Sequence, residues 1–172
     1  GAPALRFVDF LAASGLSVWQ MLPLGPTHAD RSQYQCLSVH AGKPRLISFA
    51  QLQAWGWLPR SSGLPVSGGA VRQALLAQAR QAFLDQGGAR DLEAFDGAHA
   101  FWLDDCALYA ALRQAHDHRA WWQWPLPLRD REAAALAAMR ARHADDMALV
   151  RFEQFVFFRQ WRELRQAAQA RG

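Results

Sequence analysis

Apolar and polar residues alternate with a helical period at the start of the chain, and the pattern then changes. Residues 4–13 place apolar side chains three and four positions apart, and the Ser14-Gly15 pair that follows is a typical helix stop. Residues 16–24 form a nearly continuous apolar run with β-branched and aromatic side chains, which is typical of a buried parallel strand. The pattern therefore predicts one helix–strand unit of an α/β fold.

A long polar loop follows the predicted strand. It runs from Gly25 to Gly42 and presents a single tyrosine, Tyr34. Loops at the carboxyl ends of parallel strands build the active sites of α/β folds and barrels. Loops of this length within a compact domain are usually functional or mobile. This loop is therefore the first candidate for a functional site.

Helical spacing dominates the rest of the chain. A short amphipathic segment over 45–57 and a linker rich in Pro, Gly and Ser over 59–69 come first. Apolar stripes then predict a series of helices, separated by Gly87-Gly88, by residues 116–118 and by a proline-broken aromatic connector. The four predicted helices cover residues 71–83, 101–112, 133–142 and 147–169, of which the last is predicted to be the longest.

One strand is too few for a complete α/β domain. A (β/α)₈ barrel needs about 250 residues and eight strands, whereas this chain has 172 residues. Either the chain is a helical domain with one unusual strand, or it is the front of something larger. The start at Gly1-Ala2-Pro3, without an initiator methionine, favours the second interpretation.

Composition and charge exclude several classes of protein. Half of the residues (51%) are apolar, and no apolar run approaches the roughly 20 residues that span a bilayer, so we expect no membrane contact. The net charge is +4, but the basic residues are scattered among acids, which favours a solvated surface over a nucleic-acid patch. Two isolated cysteines suggest neither a disulfide framework nor a zinc knuckle, and they indicate a reducing, cytoplasmic setting.

The acidic residues offer no convincing catalytic pair. Asp104 and Asp105 are neighbours on a predicted helix, where adjacent side chains point about 100° apart and do not converge. A solvated or helix-capping role is the favoured interpretation. Asp145-Asp146 opens the last predicted helix, where negative charge stabilises the helix dipole. Asp9 and Asp30 are single acids for which the sequence shows no partner.

Metal, thiol and aromatic sites are weaker candidates. His28, Asp30 and His40 match no metal-ligand spacing, so we predict no metal. Cys36 has no identifiable base, which argues against a nucleophilic role. Five tryptophans could form a remote sugar-stacking platform, although core packing is the favoured interpretation. They are Trp55, Trp57, Trp121, Trp122 and Trp124.

Several stretches together resemble one known family. "FVDFLAASGLSVWQMLPLGPT" (7–27) and "SQYQCLSVHAGKPRLIS" (32–48) resemble the early part of 4-α-glucanotransferases, also called amylomaltases or disproportionating enzymes. "FWLDDCALYAALRQAH" (101–116), "WWQWPLPLRDR" (121–131) and "FEQFVFFRQWRELRQAA" (152–168) fit the same family. The likeness therefore runs along essentially the whole chain.

The resemblance implies an α/β fold, namely part of a (β/α)₈ TIM barrel of the α-amylase superfamily type with a large helical insertion. Residues 1–58 would be the first barrel unit, 59–69 a linker, and 70–172 the helical insertion leading towards the next barrel strand. Most of this chain would then be helical. The family's catalytic aspartates and glutamate follow later barrel strands, and none of their motifs occurs here, so no catalytic residue is assigned.

The resemblance also implies an activity and a site. It implies retaining transfer of α-1,4-glucan segments between maltooligosaccharides, without an organic cofactor, by an enzyme that is typically cytoplasmic. In the family's Ser-Pro-Tyr-Gln motif the tyrosine lines the donor sugar subsite and the serine lies in the same cleft. These positions are Tyr34 and Ser32 here, which makes them the predicted substrate-binding residues. The sequence makes no prediction of oligomeric state.

Two residues depart from the family pattern. Gln33 stands where the motif has proline, and Lys43 stands where the family's Ala-Gly-Asn-Pro has asparagine. Proline would fix φ near −65°, so Gln33 predicts a looser loop. Two other functions remain open from the sequence: a non-catalytic helical carbohydrate-binding or interaction module, and, on charge alone, a nucleic-acid-binding helical domain.

Overall fold

The computed structural model describes residues 1–28, 32–61 and 68–172, and within these ranges the protein is helical. Two short 3₁₀ turns, Pro44–Leu46 and Trp121–Gln123, connect longer elements. The α-helices of the described residues, in chain order, are α1 (Ala2–Ala13), α2 (Phe49–Ala54), α3 (Gly69–Asp85), α4 (Ala89–Ala115), α5 (Leu126–Arg129), α6 (Ala133–Arg142) and α7 (Ala144–Gln169).

The predicted strand over 16–24 is absent from the described residues, and this prediction is wrong for the chain as it stands. The segment has no regular structure, and Val18 is 79% exposed, Leu16 55% and Leu22 54%. A strand is defined by hydrogen bonds to a neighbouring strand, and the described part of the chain supplies no such neighbour. A single isolated antiparallel bridge joins Thr27 to Cys36.

The helix ends follow the sequence signals closely. α1 begins with proline in its first turn and ends at Ser14, where Gly15 has φ +70°. The Leu16 N–H donates to the Leu11 carbonyl at 2.9 Å and the Gly15 N–H donates to the Ala12 carbonyl at 3.0 Å, which is a Schellman motif. α3 ends in the same way at Gly87, with φ +87°. Both predicted glycine stops are confirmed, because only glycine adopts positive φ without strain.

The chain divides into two compact units, each with its own core. Unit 1 contains residues 1–89 and 153–172. An aromatic row runs through its core: the ring centroids of Trp57 and Phe83 lie 4.6 Å apart, and those of Phe83 and Phe155 lie 5.1 Å apart. The core of unit 1 also contains the fully buried Leu52, Leu76, Ala79 and Val156.

Unit 2 contains residues 90–152. Its core forms where α4, α6 and the start of α7 meet the aromatic connector, and it consists of Ala107, Leu108, Ala111, Leu112, Trp124, Leu136 and Met147. The predicted helix over 133–142 is confirmed as α6. Two details of the prediction are corrected. α4 (27 residues) is longer than α7 (26 residues). Phe101, the first residue of the apolar stripe that predicted the helix over 101–112, is 75% exposed.

The predicted division into 1–58, 59–69 and 70–172 stays a prediction. Residues 62–67 of the predicted linker lie outside the described residues. None of the described helices is long and apolar enough to cross a bilayer.

Candidate functional site

The loop with the two predicted substrate-binding residues lies in unit 1. Tyr34 exposes 79% of its surface, whereas Ser32 is partly buried. Residues 29–31 of this loop, including Asp30, lie outside the described residues. An aromatic side chain at this exposure can present both its ring face and its hydroxyl group to a ligand.

Backbone contacts close the loop at its base. Thr27 and Cys36 form the antiparallel bridge, and next to it the Leu37 N–H donates to the Pro26 carbonyl at 2.7 Å. Further out, the Lys43 N–H donates to the Leu24 carbonyl at 2.8 Å. The segment that carries Tyr34 is therefore closed at its base by backbone contacts between residues 24–27 and residues 36–43.

Two buried glutamines of α7 bind backbone groups at the end of this loop and just after it. The Gly42 N–H donates to Gln154 Oε1 at 2.8 Å, and Gln154 Nε2 donates back to the Gly42 carbonyl at 3.0 Å. Gln160 makes the same pair of bonds with the backbone of Ser48, at 2.8 and 3.0 Å. Neither residue was predicted from the sequence. A glutamine within the apolar stripe of a helix could have indicated such an anchor, because a buried amide group needs hydrogen-bond partners.

Close packing at Gly42 fixes the same point. A Cβ atom on Gly42 would lie only 1.9 Å from Cδ1 of Phe157, so the ring occupies the space that any other side chain would need. Gly42 and Phe157 are both buried. The carboxyl end of the Tyr34 loop is therefore fixed by hydrogen bonds on one side and by an aromatic ring on the other.

Cys36 has a structural place in the loop. Its Sγ donates to the Gln33 carbonyl at 3.2 Å, and it belongs to the bridge with Thr27. The prediction that Cys36 is not a nucleophile stays a prediction. Among the residues that the structure describes, no three His, Cys, Asp or Glu side chains are placed to hold a metal, and Asp30 of the weighed histidine–aspartate set lies outside them.

The acidic pair on α4 is an ion-pair centre. Asp104 contacts Arg140 Nε at 3.0 Å and an Arg151 terminal nitrogen at 2.5 Å, while Asp105 contacts Arg131 at 2.8 Å and Arg140 at 3.3 Å. Both acids lie in the middle of α4, so helix capping is excluded, and their exposure of 42% and 55% agrees with a solvated role. Both carboxylates contact the guanidinium of Arg140, so the expectation that the two side chains do not converge is wrong. Their pairing with arginines was not predicted from the sequence.

Two other acidic predictions have clear outcomes. Asp145 and Asp146 lie in the first turn of α7 as predicted. Asp9 was predicted to have no partner, and this is wrong: Arg171 Nε lies 2.5 Å from Asp9 Oδ1. The pairing was invisible in the sequence because the two residues are 162 positions apart.

The five tryptophans divide between core and surface. Trp57 and Trp124 are buried and Trp55 is partly buried, in agreement with core packing. Trp121 is 48% exposed and Trp122 63% exposed. Their rings meet edge to face, with centroids 5.8 Å apart.

Burial raises the pKa of one carboxyl group next to Gln154, the residue that anchors Gly42. Glu153 directly precedes Gln154, and burial raises its pKa to about 7, while the nearby Arg72 acts in the opposite direction. Burial in turn lowers the pKa of the Arg72 guanidinium. Arg72 also donates to the Pro44 carbonyl at 3.0 Å and stacks over the Phe49 ring at 4.6 Å, so it holds the chain just after Gly42.

A separate cleft of about 360 Å³ in unit 1 does not contain the predicted site residues. It lies between α1, α2 and α7 and is lined by Leu5, Ser48, Gln51, Glu163 and Leu164, among others. Inside it, Gln51 Nε2 donates to the Glu163 carboxylate. The described residues therefore provide an anchored loop with an exposed tyrosine, and the described residues of this loop include no carboxyl side chain.

Comparison with known proteins gives a consistent result. A sequence profile described as 4-alpha-glucanotransferase matches residues 1–172. The 4-alpha-glucanotransferase of Thermus thermophilus is 38% identical over 182 residues, which covers 100% of this chain and 36% of that protein. The 4-alpha-glucanotransferase of a Synechocystis strain is 35% identical over 185 residues, with 99% and 37% covered.

A solved structure agrees with these relatives. The amylomaltase from Streptococcus agalactiae in complex with acarbose is 29% identical and superimposes with a TM-score of 0.93, over 100% of this chain and 37% of that one. The chain spans a little over a third of the length of the curated relatives that it matches. The match along the whole of the described fold and sequence shows that this chain belongs to the 4-alpha-glucanotransferase family.

Proposed function

We propose that this chain is the front portion of a 4-alpha-glucanotransferase and that it supplies the donor-subsite loop of that enzyme. The observation that carries the proposal is the exposed Tyr34, held in a loop that backbone bonds close at its base and that Gln154 anchors to α7. A residue that binds one sugar ring must be accessible and held in position; the exposure of Tyr34 and the closure of its loop support this role.

The proposed reaction is transfer of an α-1,4-glucan segment from one maltooligosaccharide to another. Retention of configuration requires two carboxyl groups about 5 Å apart, one that forms a covalent glycosyl-enzyme and one that donates and then accepts the proton. Within this proposal both groups come from parts of the enzyme beyond this chain. Tyr34 would stack on the donor sugar and donate or accept a hydrogen bond, and Ser32 would line the same cleft.

The proposed fold of the complete enzyme is a (β/α)₈ barrel. Residues 1–58 would form its first unit, and residues 70–172 would form a helical insertion after the linker 59–69. The exposed apolar side chains of residues 16–24 support this arrangement, because other strands and helices of a barrel would cover them. The S. agalactiae amylomaltase, which binds acarbose, supports a maltooligosaccharide or α-1,4-glucan as the substrate.

The proposal includes a setting and a set of partners. We propose a cytoplasmic enzyme that works without an organic cofactor or a metal and that binds neither nucleic acid nor membrane. The scattered arrangement of its basic residues supports the absence of a nucleic-acid surface, since such a surface needs clustered positive charge.

Replacement of Tyr34 in the complete enzyme tests the proposal. We expect Tyr34→Ala to lower kcat/KM for transfer from maltotriose by more than about tenfold, which corresponds to about 1.4 kcal/mol of transition-state stabilisation. Tyr34→Phe should retain the stacking part of this effect and lose the part that depends on the hydroxyl group. Val39→Ala is the matched control, because Val39 lies in the same loop and is 90% exposed. Normal transfer by Tyr34→Ala would refute the site assignment.

A further inference from the structure

The two residues that depart from the family pattern touch each other. With the Gln33 amide in the orientation that its neighbours require, its nitrogen donates to the Pro23 carbonyl at 2.9 Å and its oxygen accepts from Lys43 Nζ at 3.1 Å. The side chain of Gln33 therefore crosses the base of the loop, from the incoming to the outgoing segment. Both Gln33 and Lys43 are partly buried, which strengthens hydrogen bonds between them relative to fully solvated ones.

Lys43 is a fixed point for this contact. Its backbone N–H donates to the Leu24 carbonyl at 2.8 Å. The residue before it is Gly42, which Gln154 holds by two hydrogen bonds and Phe157 holds by packing. The residue after it is Pro44, whose carbonyl accepts from Arg72 at 3.0 Å. Because the backbone on both sides is anchored, the Lys43 ammonium group reaches Gln33 from a fixed Cα position.

Gln33 transmits this restraint to the next residue. Its side chain is bonded to Pro23 and Lys43, and its carbonyl accepts from Cys36 Sγ at 3.2 Å. Gln33 is therefore held by hydrogen bonds through both its side chain and its carbonyl group, next to the peptide bond to Tyr34. Proline at this position would restrict φ but could not make the cross-loop bonds, since it has no amide side chain.

We propose that Gln33 and Lys43 act together as positioning residues that hold Tyr34 in its substrate-binding orientation, replacing by hydrogen bonds the restraint that proline gives. This proposal rests on the assignment of Tyr34 to the donor subsite. It reverses the expectation that Gln33 loosens the loop. It also makes the two departures one compensating pair and not two independent changes.

The test is a set of variants of the complete enzyme, assayed for kcat and KM in transfer from maltotriose. We expect Gln33→Leu and Lys43→Met each to lower kcat/KM about three- to tenfold, in keeping with the loss of one or two hydrogen bonds. The double variant should be little worse than either single one, because each substitution breaks the same link. Arg45→Met and Gln78→Leu are the matched controls, since both residues are exposed and lie outside the link, and they should leave kcat/KM within about twofold of wild type.

A second set separates positioning from a general structural effect. If Gln33 acts through Tyr34, Gln33→Leu should have almost no further effect in the Tyr34→Ala background. The double variant Gln33→Pro with Lys43→Asn should keep kcat/KM within about twofold of wild type, because proline supplies the restraint that the lost hydrogen bonds gave. Hydrogen exchange of peptides that cover residues 32–44 reads the loop without substrate, and it should rise in Gln33→Leu and in Lys43→Met alike.

The outcomes distinguish the two proposals. If Tyr34→Ala is normal, the subsite assignment fails. If Tyr34→Ala is impaired but Gln33→Leu and Lys43→Met are normal in kcat/KM and exchange, the positioning proposal fails alone. It also fails if the effects of Gln33→Leu and Tyr34→Ala are additive. Gln33→Asn, whose amide is too short to reach Lys43, replaces Gln33→Leu in every comparison if the leucine variant does not fold.

Discussion

Gln154 and Gly42 exchange two hydrogen bonds across 112 positions of the chain, with the glutamine amide pairing with the backbone as a neighbouring strand would. Gln154 is only 2% exposed, so the pair is sealed from water. A single side chain of α7 thereby satisfies both polar groups of a glycine at the end of the Tyr34 loop. The loop and the helix are coupled at this point.

Removal of the Gln154 amide should destabilise the protein. In Gln154→Leu the N–H and carbonyl of Gly42 remain buried without a partner, at a cost of about 1–3 kcal/mol for each group. We expect the free energy of unfolding to fall by roughly 2–6 kcal/mol in chemical denaturation of the complete enzyme. Gln166→Leu, at an exposed position of the same helix, is the control and should change it by less than about 0.5 kcal/mol. Equal stability of the two variants would mean that the pair contributes nothing.

Alanine substitutions at Gly42 and at Gly97 should have opposite effects on stability, because Phe157 packs against Gly42 whereas Gly97 has open space around it. Gly42→Ala places a Cβ 1.9 Å from Phe157 Cδ1, so the ring or the backbone must move, at a cost of about 1–3 kcal/mol or more. Gly97→Ala has open space around the new methyl group in the middle of α4, so it should stabilise the protein by about 0.5–1 kcal/mol. The measurement is the shift in thermal unfolding midpoint. The variant Phe157→Leu should recover part of the loss in Gly42→Ala, and a tolerated Gly42→Ala on its own would contradict the observed packing.

Glu153 predicts a pH dependence of stability. Its pKa rises from 4.5 to about 7 on folding because the carboxyl group is buried, despite the nearby Arg72. The folded protein therefore keeps a proton that the unfolded chain releases, and stability falls as the pH rises from 4.5 through about 7. Below this window Glu153 has no such cost.

The variant Glu153→Gln should remove this part of the pH dependence. Relative to wild type, we expect it to gain stability on going from about pH 5 to about pH 8, by an amount on the order of 3 kcal/mol at most. The free energy of unfolding, measured at both pH values, checks this. Glu93→Gln, at an exposed position of α4, is the control and should follow wild type. If Glu153→Gln also follows wild type, the carboxyl group is ionised in the folded protein at neutral pH.

The sequence indicated where the candidate site lies but did not show which residues hold it in place. The motif around Tyr34 and the length of its loop identified the candidate site, because loop punctuation by glycine and proline is a local property. The anchoring glutamines Gln154 and Gln160 were missed because they contact backbone groups 112 positions away. The link between Gln33 and Lys43 was read as two separate departures, since a sequence does not show which side chains meet.

The sequence by itself determined most of the helices, their glycine stops and the position of the tyrosine loop, although α4 begins at Ala89 and not near residue 101 as predicted. These features depend on apolar periodicity and on backbone preferences that act over a few residues. Tertiary structure decided the rest: residues 16–24 form no strand because a strand needs a neighbouring strand, and Asp104 is neutralised by arginines from α6 and α7. It also divided the tryptophans, burying Trp124 at 7% exposure and leaving Trp122 at 63%. The physical reason is that burial, pairing and charge compensation are properties of residues that meet in space, which local sequence patterns do not encode.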